Sequence, residues 1–249
     1  RYLVAECIAR SAPSASGRIK AWICTWLPAW LAARSLQLGE DSSREAVIHF
    51  DQAAGGDEVM VPLSHSNLLS NVQGLSALVD LSTGDRVLAT LPLHGAFGRT
   101  TTLFAPLLSG AAVALPPDRR DPRAITSFID SSRVTHLVGT TSQCREYLTE
   151  ATRELLKGLK LSFVGGEEAP GEDLILEWRE RFGSELLAGH GRTECGPVIS
   201  LNVPNVSTMG AKEEGNRAGT VGRAIPGTAL KVVDPDTGSP LPPGTEGVL

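Results

Sequence analysis

From residue 81 onward, short apolar runs alternate regularly with amphipathic stretches. β-rich runs at residues 86–91, 111–115, 135–139, 159–164 and 185–188 recur about every 25 residues, which leaves room for one helix between successive strands. The intervening segments carry helical spacing: Ala124, Ile125, Phe128 and Ile129 follow Asp121-Pro122, and Leu174, Ile175, Trp178 and Phe182 follow Ala169-Pro170-Gly171. This alternation predicts an α/β fold with a parallel sheet covered on both faces, whose ligands sit beyond the carboxyl ends of the strands. Function is therefore expected in the loops that follow the five strands.

Upstream, a strand over residues 45–50 precedes a helix that Ser64 caps, with Leu68, Leu69, Val72, Leu75, Leu78 and Val79 on its apolar face. Downstream, residues 204–218 have little periodicity and read as a surface loop. Residues 229–233 alternate, Asp234-Pro235-Asp236-Thr237-Gly238 is a turn, and Pro242-Pro243-Gly244 leads into a final strand, together a hairpin of a second sheet. Trp22, Trp26 and Trp30 form one helical stripe flanked by Arg18, Lys20 and Arg34. That stripe suits either packing against the rest of the protein or a helix lying in a membrane interface. The expected organisation is an N-terminal helical segment and linker over 1–44, an α/β core over 45–203, and a loop and hairpin over 204–249. The chain starts at Arg1 and stops at Gly247-Val248-Leu249 as if entering another strand, so it is expected to be a piece of a longer protein.

Composition narrows the function. The 249 residues carry 23 Lys and Arg against 28 Asp and Glu, a net charge of −5, which supplies no general electrostatic attraction to nucleic acid. The four cysteines (Cys7, Cys24, Cys144 and Cys195) and the five histidines lack metal-ligand spacing, which suits reduced thiols and argues against a histidine-built metal centre. The longest apolar stretch, residues 19–33, is broken by Lys20 and Pro28 and is too short to span a bilayer. No G-x-S-x-G elbow or Walker A motif is present.

Three glycine-rich loops are the candidates for chemistry. The first, residues 51–58 around Gly55 and Gly56, is read as a loop between a strand and a helix, where backbone N–H groups can cradle phosphate. It has no Lys, Ser or Thr and carries Asp51, Asp57 and Glu58. Each such charge 4 Å from a phosphate costs about 1 kcal/mol in water and about 4 kcal/mol at an effective dielectric of 20, so the segment equally suits a solvated turn. The second loop, Gly165-Gly166-Glu167, follows a strand and lets a planar ring approach the backbone, or simply turns the chain. The third, Gly189-His190-Gly191-Arg192-Thr193-Glu194, sets a hydroxyl and a carboxylate among glycines. There Glu194 suits Mg²⁺ and Thr193 a phosphate or carboxylate oxygen, although Thr-Glu also starts helices.

The order of these motifs says more than any one of them. Leu63-Ser64-His65-Ser66-Asn67-Leu68, Leu91-Pro92-Leu93, Phe97-Gly98, Gly165-Gly166-Glu167, residues 189–194, Gly219-Thr220-Val221-Gly222-Arg223 and Asp234-Pro235-Asp236-Thr237-Gly238 together resemble the adenylate-forming superfamily of acyl-CoA synthetases, luciferases and peptide-synthetase adenylation domains. Within it, residues 193–204 are most similar to the acyl-ACP synthetase half of 2-acylglycerophosphoethanolamine acyltransferases, membrane-associated enzymes of phospholipid acyl recycling.

The resemblance implies that a fatty acid carboxylate attacks the α-phosphate of ATP to give acyl-adenylate, and that a thiol of acyl carrier protein or CoA then takes the acyl group. It implies Mg²⁺ on Glu194, α-phosphate on Thr193, and adenine walled by Gly165, Gly166, Glu167 and Gly189-His190-Gly191, with His190 where the family has a stacking Tyr. Phe97, Gly98, Gly139 and Thr140 would border the acyl channel. A cytoplasmic location is implied, with peripheral contact or tethering at the inner membrane through Trp22, Trp26 and Trp30. Two departures stand out: Val59 occupies the family's phosphate-loop Lys position, and Asp51 and Gln52 replace hydroxyl residues, so the phosphate loop around Gly55 and Gly56 is degenerate. The chain also ends before the family's ribose-binding Asp and its C-terminal catalytic Lys. By itself it is therefore expected to be inactive or nearly so, or to serve as a non-catalytic binding or scaffolding module.

Overall fold

The computed structural model describes residues 41–52, 58–166, 170–208 and 211–249. Trp22, Trp26, Trp30, Gly55, Gly56 and Glu167 lie outside the described residues. Residues Glu45–Leu249 form a compact unit of their own.

The main sheet has seven strands. In spatial order they are β11 (Arg223–Ala224), β8 (Val198–Leu201), β7 (Leu186–Gly191), β6 (Leu161–Val164), β5 (His136–Gly139), β3 (Arg86–Leu88) and β4 (Ala112–Ala114). From β4 to β7 the pairing is parallel, whereas β8 and β11 join antiparallel. Successive residues of the central strands bury against opposite faces. Leu137, Val164 and Leu186 enter a cluster with Tyr147, Leu174, Trp178 and Phe182. Val138, Phe163 and Leu187 enter another with Val72, Leu75, Val198, Leu201 and Ile225. The period-2 side-chain alternation of a strand requires two apolar layers when both faces are covered.

The helices start where the sequence provides caps. In α1 (His65–Ser76) the Ser64 hydroxyl accepts from the Asn67 N–H while the Asn67 side chain accepts from the Ser64 N–H, a reciprocal capping box. Asp121 caps α4 (Pro122–Ser131), with Pro122 at the first helical position where its missing donor costs nothing. Thr140 and Gln143 form a second capping box at α5 (Thr141–Glu150). The short α6 (Arg153–Leu156) follows, and α7 (Glu172–Phe182) ends on Gly183 in the left-handed conformation. Between β3 and β4 a helical rod runs through α2 (Ala96–Arg99), a π-helical turn (Thr100–Phe104) and α3 (Ala105–Leu108). In the π-helical turn the Thr101 and Thr102 hydroxyls donate to the Phe97 and Gly98 carbonyls at 2.7 and 2.6 Å.

Two expectations need correction. Segment 51–58 does not lie between a strand and a helix: it joins β1 (Glu45–Gln52) to β2 (Glu58–Ser64) in an antiparallel hairpin that pairs Asp51 with Val59 and Phe50 with Met60. Residues 204–218 are not all loop, since β9 (Val206–Thr208) pairs with β10 (Ala211–Glu213). The tail makes the expected turn, with the Asp234 carboxylate accepting from the Asp236 and Thr237 N–H groups, but its pairing is limited to isolated bridges from Val233 to Pro240 and Val248.

The hairpin is positioned by packing and by one polar contact. Val61 and Leu63 bury against Leu68 of α1, with Val47 and Phe104 alongside. His49 is buried, and Arg99 of α2 donates to its Nε2. Burial, and then the Arg99 charge, lower the His49 pKa, which keeps the ring neutral as an acceptor. Alternation along β1 puts Val47, His49 and Asp51 on the inner face and the exposed Ile48 and Phe50 on the outer.

Candidate functional site

The carboxyl ends of β6 and β7 open into a polar cleft of about 430 Å³, within the size range of small-molecule sites. Gly165 and Gly166 follow β6, and Gly189, His190 and Gly191 form the end of β7. Thr193 and Glu194 lie on the one-turn 3₁₀ helix Thr193–Cys195 beyond it. Gly95, Ala96 and Phe97 close the side toward α2, and Asp51 reaches in from β1. The parallel sheet thus brings together Gly165, Gly166, Gly189, His190, Gly191, Thr193 and Glu194, all predicted as site residues.

The glycines serve close packing. A Cβ at Gly191 would sit 2.2 Å from the Pro197 carbonyl oxygen, and one at Gly189 would sit 2.9 Å from Leu201 Cδ1, so only glycine lets β8 fold back antiparallel onto β7. Gly166 has φ +134°, a conformation glycine tolerates.

The charged groups of the cleft are engaged within the protein. The Thr193 hydroxyl donates to the Asp51 carboxylate at 2.6 Å. Arg192 Nε lies 3.6 Å from the Glu194 carboxylate, both side chains being more than half exposed. Sequence reasoning reads Asp51 as part of the degenerate phosphate loop, and it misses the contact with Thr193. The available signal was its alternation with His49, which puts it on the inner face once β1 is known to continue to Gln52.

A second, apolar cavity of about 60 Å³ continues from the cleft into the core. Phe97, Gly189 and His190 line both spaces; beyond them come Val138, Phe163, Leu75, Val79 and Leu81, with His136 at the far side. The predicted acyl-channel residues separate here. Phe97 stands at the junction. Gly98 instead packs on the chain, where a Cβ would meet the Pro92 carbonyl oxygen at 2.6 Å. Gly139 and Thr140 are outside the lining of both spaces: Gly139 ends β5 beside Cys144, and Thr140 caps α5.

A parallel α/β sheet whose glycine-rich strand ends surround a cleft, with an apolar pocket leading inward, is the arrangement of a small-molecule-binding enzyme domain. Residues 60–249 match the AMP-binding enzyme family, and the chain belongs to it. It is 32% identical over 183 residues to the long-chain-fatty-acid–CoA ligase of Thermus thermophilus, a match covering 72% of this chain and 32% of that protein. It is 25% identical over 206 residues to acyl-CoA ligase SID4 of Ajellomyces capsulatus, covering 81% and 34%. Among solved structures, ATP-bound MatB from Rhodopseudomonas palustris aligns with a TM-score of 0.74 at 25% identity, covering 84% of this chain and 39% of that one. The chain spans about a third of the length of these curated relatives.

Proposed function

We propose that this chain supplies the nucleotide cleft and acyl pocket of an ATP-dependent acyl ligase. The whole protein would activate a fatty acid as acyl-adenylate and pass the acyl group to a thiol. The observation that carries the reading is the meeting of the polar cleft and the apolar cavity at Phe97, Gly189 and His190. An adenylate in the first and an acyl tail in the second would share one mixed anhydride at that junction. Such chemistry needs chiefly the alignment of carboxylate and phosphate and neutralisation of the phosphate charge.

The relatives' names specify CoA, which favours CoA over acyl carrier protein as the thiol acceptor. Glu194 would hold Mg²⁺, a hard cation commonly bound through one or two carboxylates together with substrate phosphates; its exposed carboxylate at the cleft mouth suits that role. Peripheral membrane contact rests on the Trp22, Trp26 and Trp30 pattern alone, and a cytoplasmic setting on the dispersed cysteines and the family resemblance. Among the described residues no helix is long and apolar enough to cross a membrane.

Calorimetric titration with a non-hydrolysable acyl-adenylate mimic in the presence of Mg²⁺ tests the reading. Micromolar binding, weakened in Glu194→Ala, is expected; a folded protein that does not bind the mimic would contradict it. A second reading, a non-catalytic binding module, is favoured by one observation: the Thr193 hydroxyl, which in the adenylate reading would meet phosphate, donates to Asp51.

A further inference from the structure

From the place of His136 at the far side of the apolar cavity we infer that His136 is a specificity-determining residue for the acyl group, and that the pocket takes an acid with a hydroxyl at its far end in preference to one with a plain hydrocarbon tail. The inference rests on the acyl-ligase reading above and names its acid. His136 stands two residues before Val138 on β5, so both side chains leave the same face of the strand and line the same cavity. The His136 side chain is 3% exposed, set in a mostly apolar lining.

One nitrogen of this ring is engaged and the other is not. Nδ1 lies 2.8 Å from the Thr135 hydroxyl and 3.9 Å from the Asp85 carboxylate. The single hydroxyl proton of Thr135 has oxygen acceptors in the Arg86 carbonyl at 3.3 Å and the Asp85 carboxylate, so Nδ1 is the donor in its contact with Thr135. The Asp85 charge on the same side favours that tautomer. Burial holds the ring neutral, which leaves Nε2 as a bare acceptor. Among the described residues none donates to it.

The other polar side chains of the cavity are engaged or stand at its mouth. The Thr101 hydroxyl donates to the Phe97 carbonyl at 2.7 Å, Ser76 shares a hydrogen bond with Ser109, and His190 stands at the junction with the cleft. A hydrocarbon tail that reaches His136 excludes water from Nε2 and leaves a buried acceptor unpaired, whereas a hydroxyl donates to it. A site that hydrogen-bonds a hydroxyl rejects the analogue lacking it far more strongly than an apolar wall separates one tail from another. Along β5, His136 lies three residues, about 10 Å, before the strand end at Gly139. An extended chain of about eight bonds covers that distance.

The experiment is a titration of the chain, in Mg²⁺, with non-hydrolysable acyl-adenylate mimics whose straight tails of six, eight and ten carbons end in a methyl group or in a hydroxyl. It is run on the wild type, His136→Leu and His136→Gln, with thermal melts confirming that each is folded. At the tail length that reaches His136, the wild type is expected to bind the hydroxylated mimic about tenfold more tightly than its methyl counterpart. His136→Leu should lose that preference while binding the methyl-ended mimic at least as well as the wild type does, and His136→Gln, whose amide oxygen accepts, should keep part of it. If the wild type binds both kinds of tail alike at all three lengths, or if the preference persists in folded His136→Leu, the role of His136 is overturned and the acyl-ligase reading survives. If the folded wild type binds none of the mimics, that reading itself fails, and the role of His136 with it.

Discussion

The ring of Phe97 lies 3.1 Å, measured at Cζ, from the place a Cβ on Gly165 would occupy. The glycine after β6 thus leaves the space that the ring of α2 fills at the junction between polar cleft and apolar cavity. A larger residue at 165 must push the ring toward the junction. Overpacking of this kind costs about 1–3 kcal/mol. Gly165→Val is therefore expected to weaken binding of an acyl-adenylate mimic by about tenfold or more, and binding of adenosine by less. Parallel titrations with the two ligands check this.

At the opposite end of the sheet, Asp85 ties three elements together. Its buried carboxylate accepts from Lys160 Nζ at 2.6 Å and from the Ser82 hydroxyl and N–H at 2.7 and 2.9 Å. Asp85→Ala leaves the Ser82 donors without their acceptor and is expected to cost about 2 kcal/mol in urea unfolding. Lys160→Ala should cost about 1 kcal/mol or less, because the lysine side chain is 60% exposed. Equal losses from the two changes would contradict this asymmetry.

The same cluster sets the acid sensitivity. Burial alone would raise the Asp85 pKa, but hydrogen bonds from Lys160, Ser82 and Thr135 outweigh it and hold the carboxyl well below the usual range. Below its unfolded pKa of about 3.9 the unfolded chain takes a proton that the folded chain refuses. The stability from Asp85 is thus present above that pH and lost as pH falls toward the depressed value. Burial, despite an opposing pull from Asp85, lowers the pKa of His136. Below about pH 6.5 the unfolded chain therefore gains a further proton there, and stability falls. Urea midpoints between pH 8 and pH 3 should decline in two stages, and Asp85→Ala should shrink the lower one.

Two cysteines differ sharply in environment. Cys144 is completely buried on α5, which pushes its thiol up to about 12, whereas Cys195 is exposed beside Glu194. Since the thiolate is the reactive form, iodoacetamide at pH 8 should modify Cys195 in the native protein and reach Cys144 only after denaturation. Peptide mapping by mass spectrometry reads both positions.

The parallel strands and α1, α4 and α7 were legible because their signals are local: apolar runs at a steady interval, a cap at Ser64, and helical spacing after Asp121-Pro122 and Ala169-Pro170-Gly171. Strand β2 was not. Pro62 argues against a strand, and the helix-start signal at Ser64 follows at once; only pairing with β1 makes these residues extended. Strands β9 and β10 are three residues each and too short to show a period. The site was legible in the same measure. Gly165, Gly166 and residues 189–194 sit at strand ends in sequence order. The direction of Asp51 follows from the register of the β1–β2 hairpin, and its contact with Thr193 joins residues 142 positions apart; nothing in the local pattern records that contact.

The most direct measurement is a crystal structure of the chain with a non-hydrolysable acyl-adenylate mimic. The adenine ring should lie between Gly165-Gly166 and Gly189-His190, and the acyl tail should pass Phe97 toward Val138 and Phe163. A mimic bound away from these strand ends, or a tail lying on the surface while the cavity beyond Phe97 stays closed, would contradict the account.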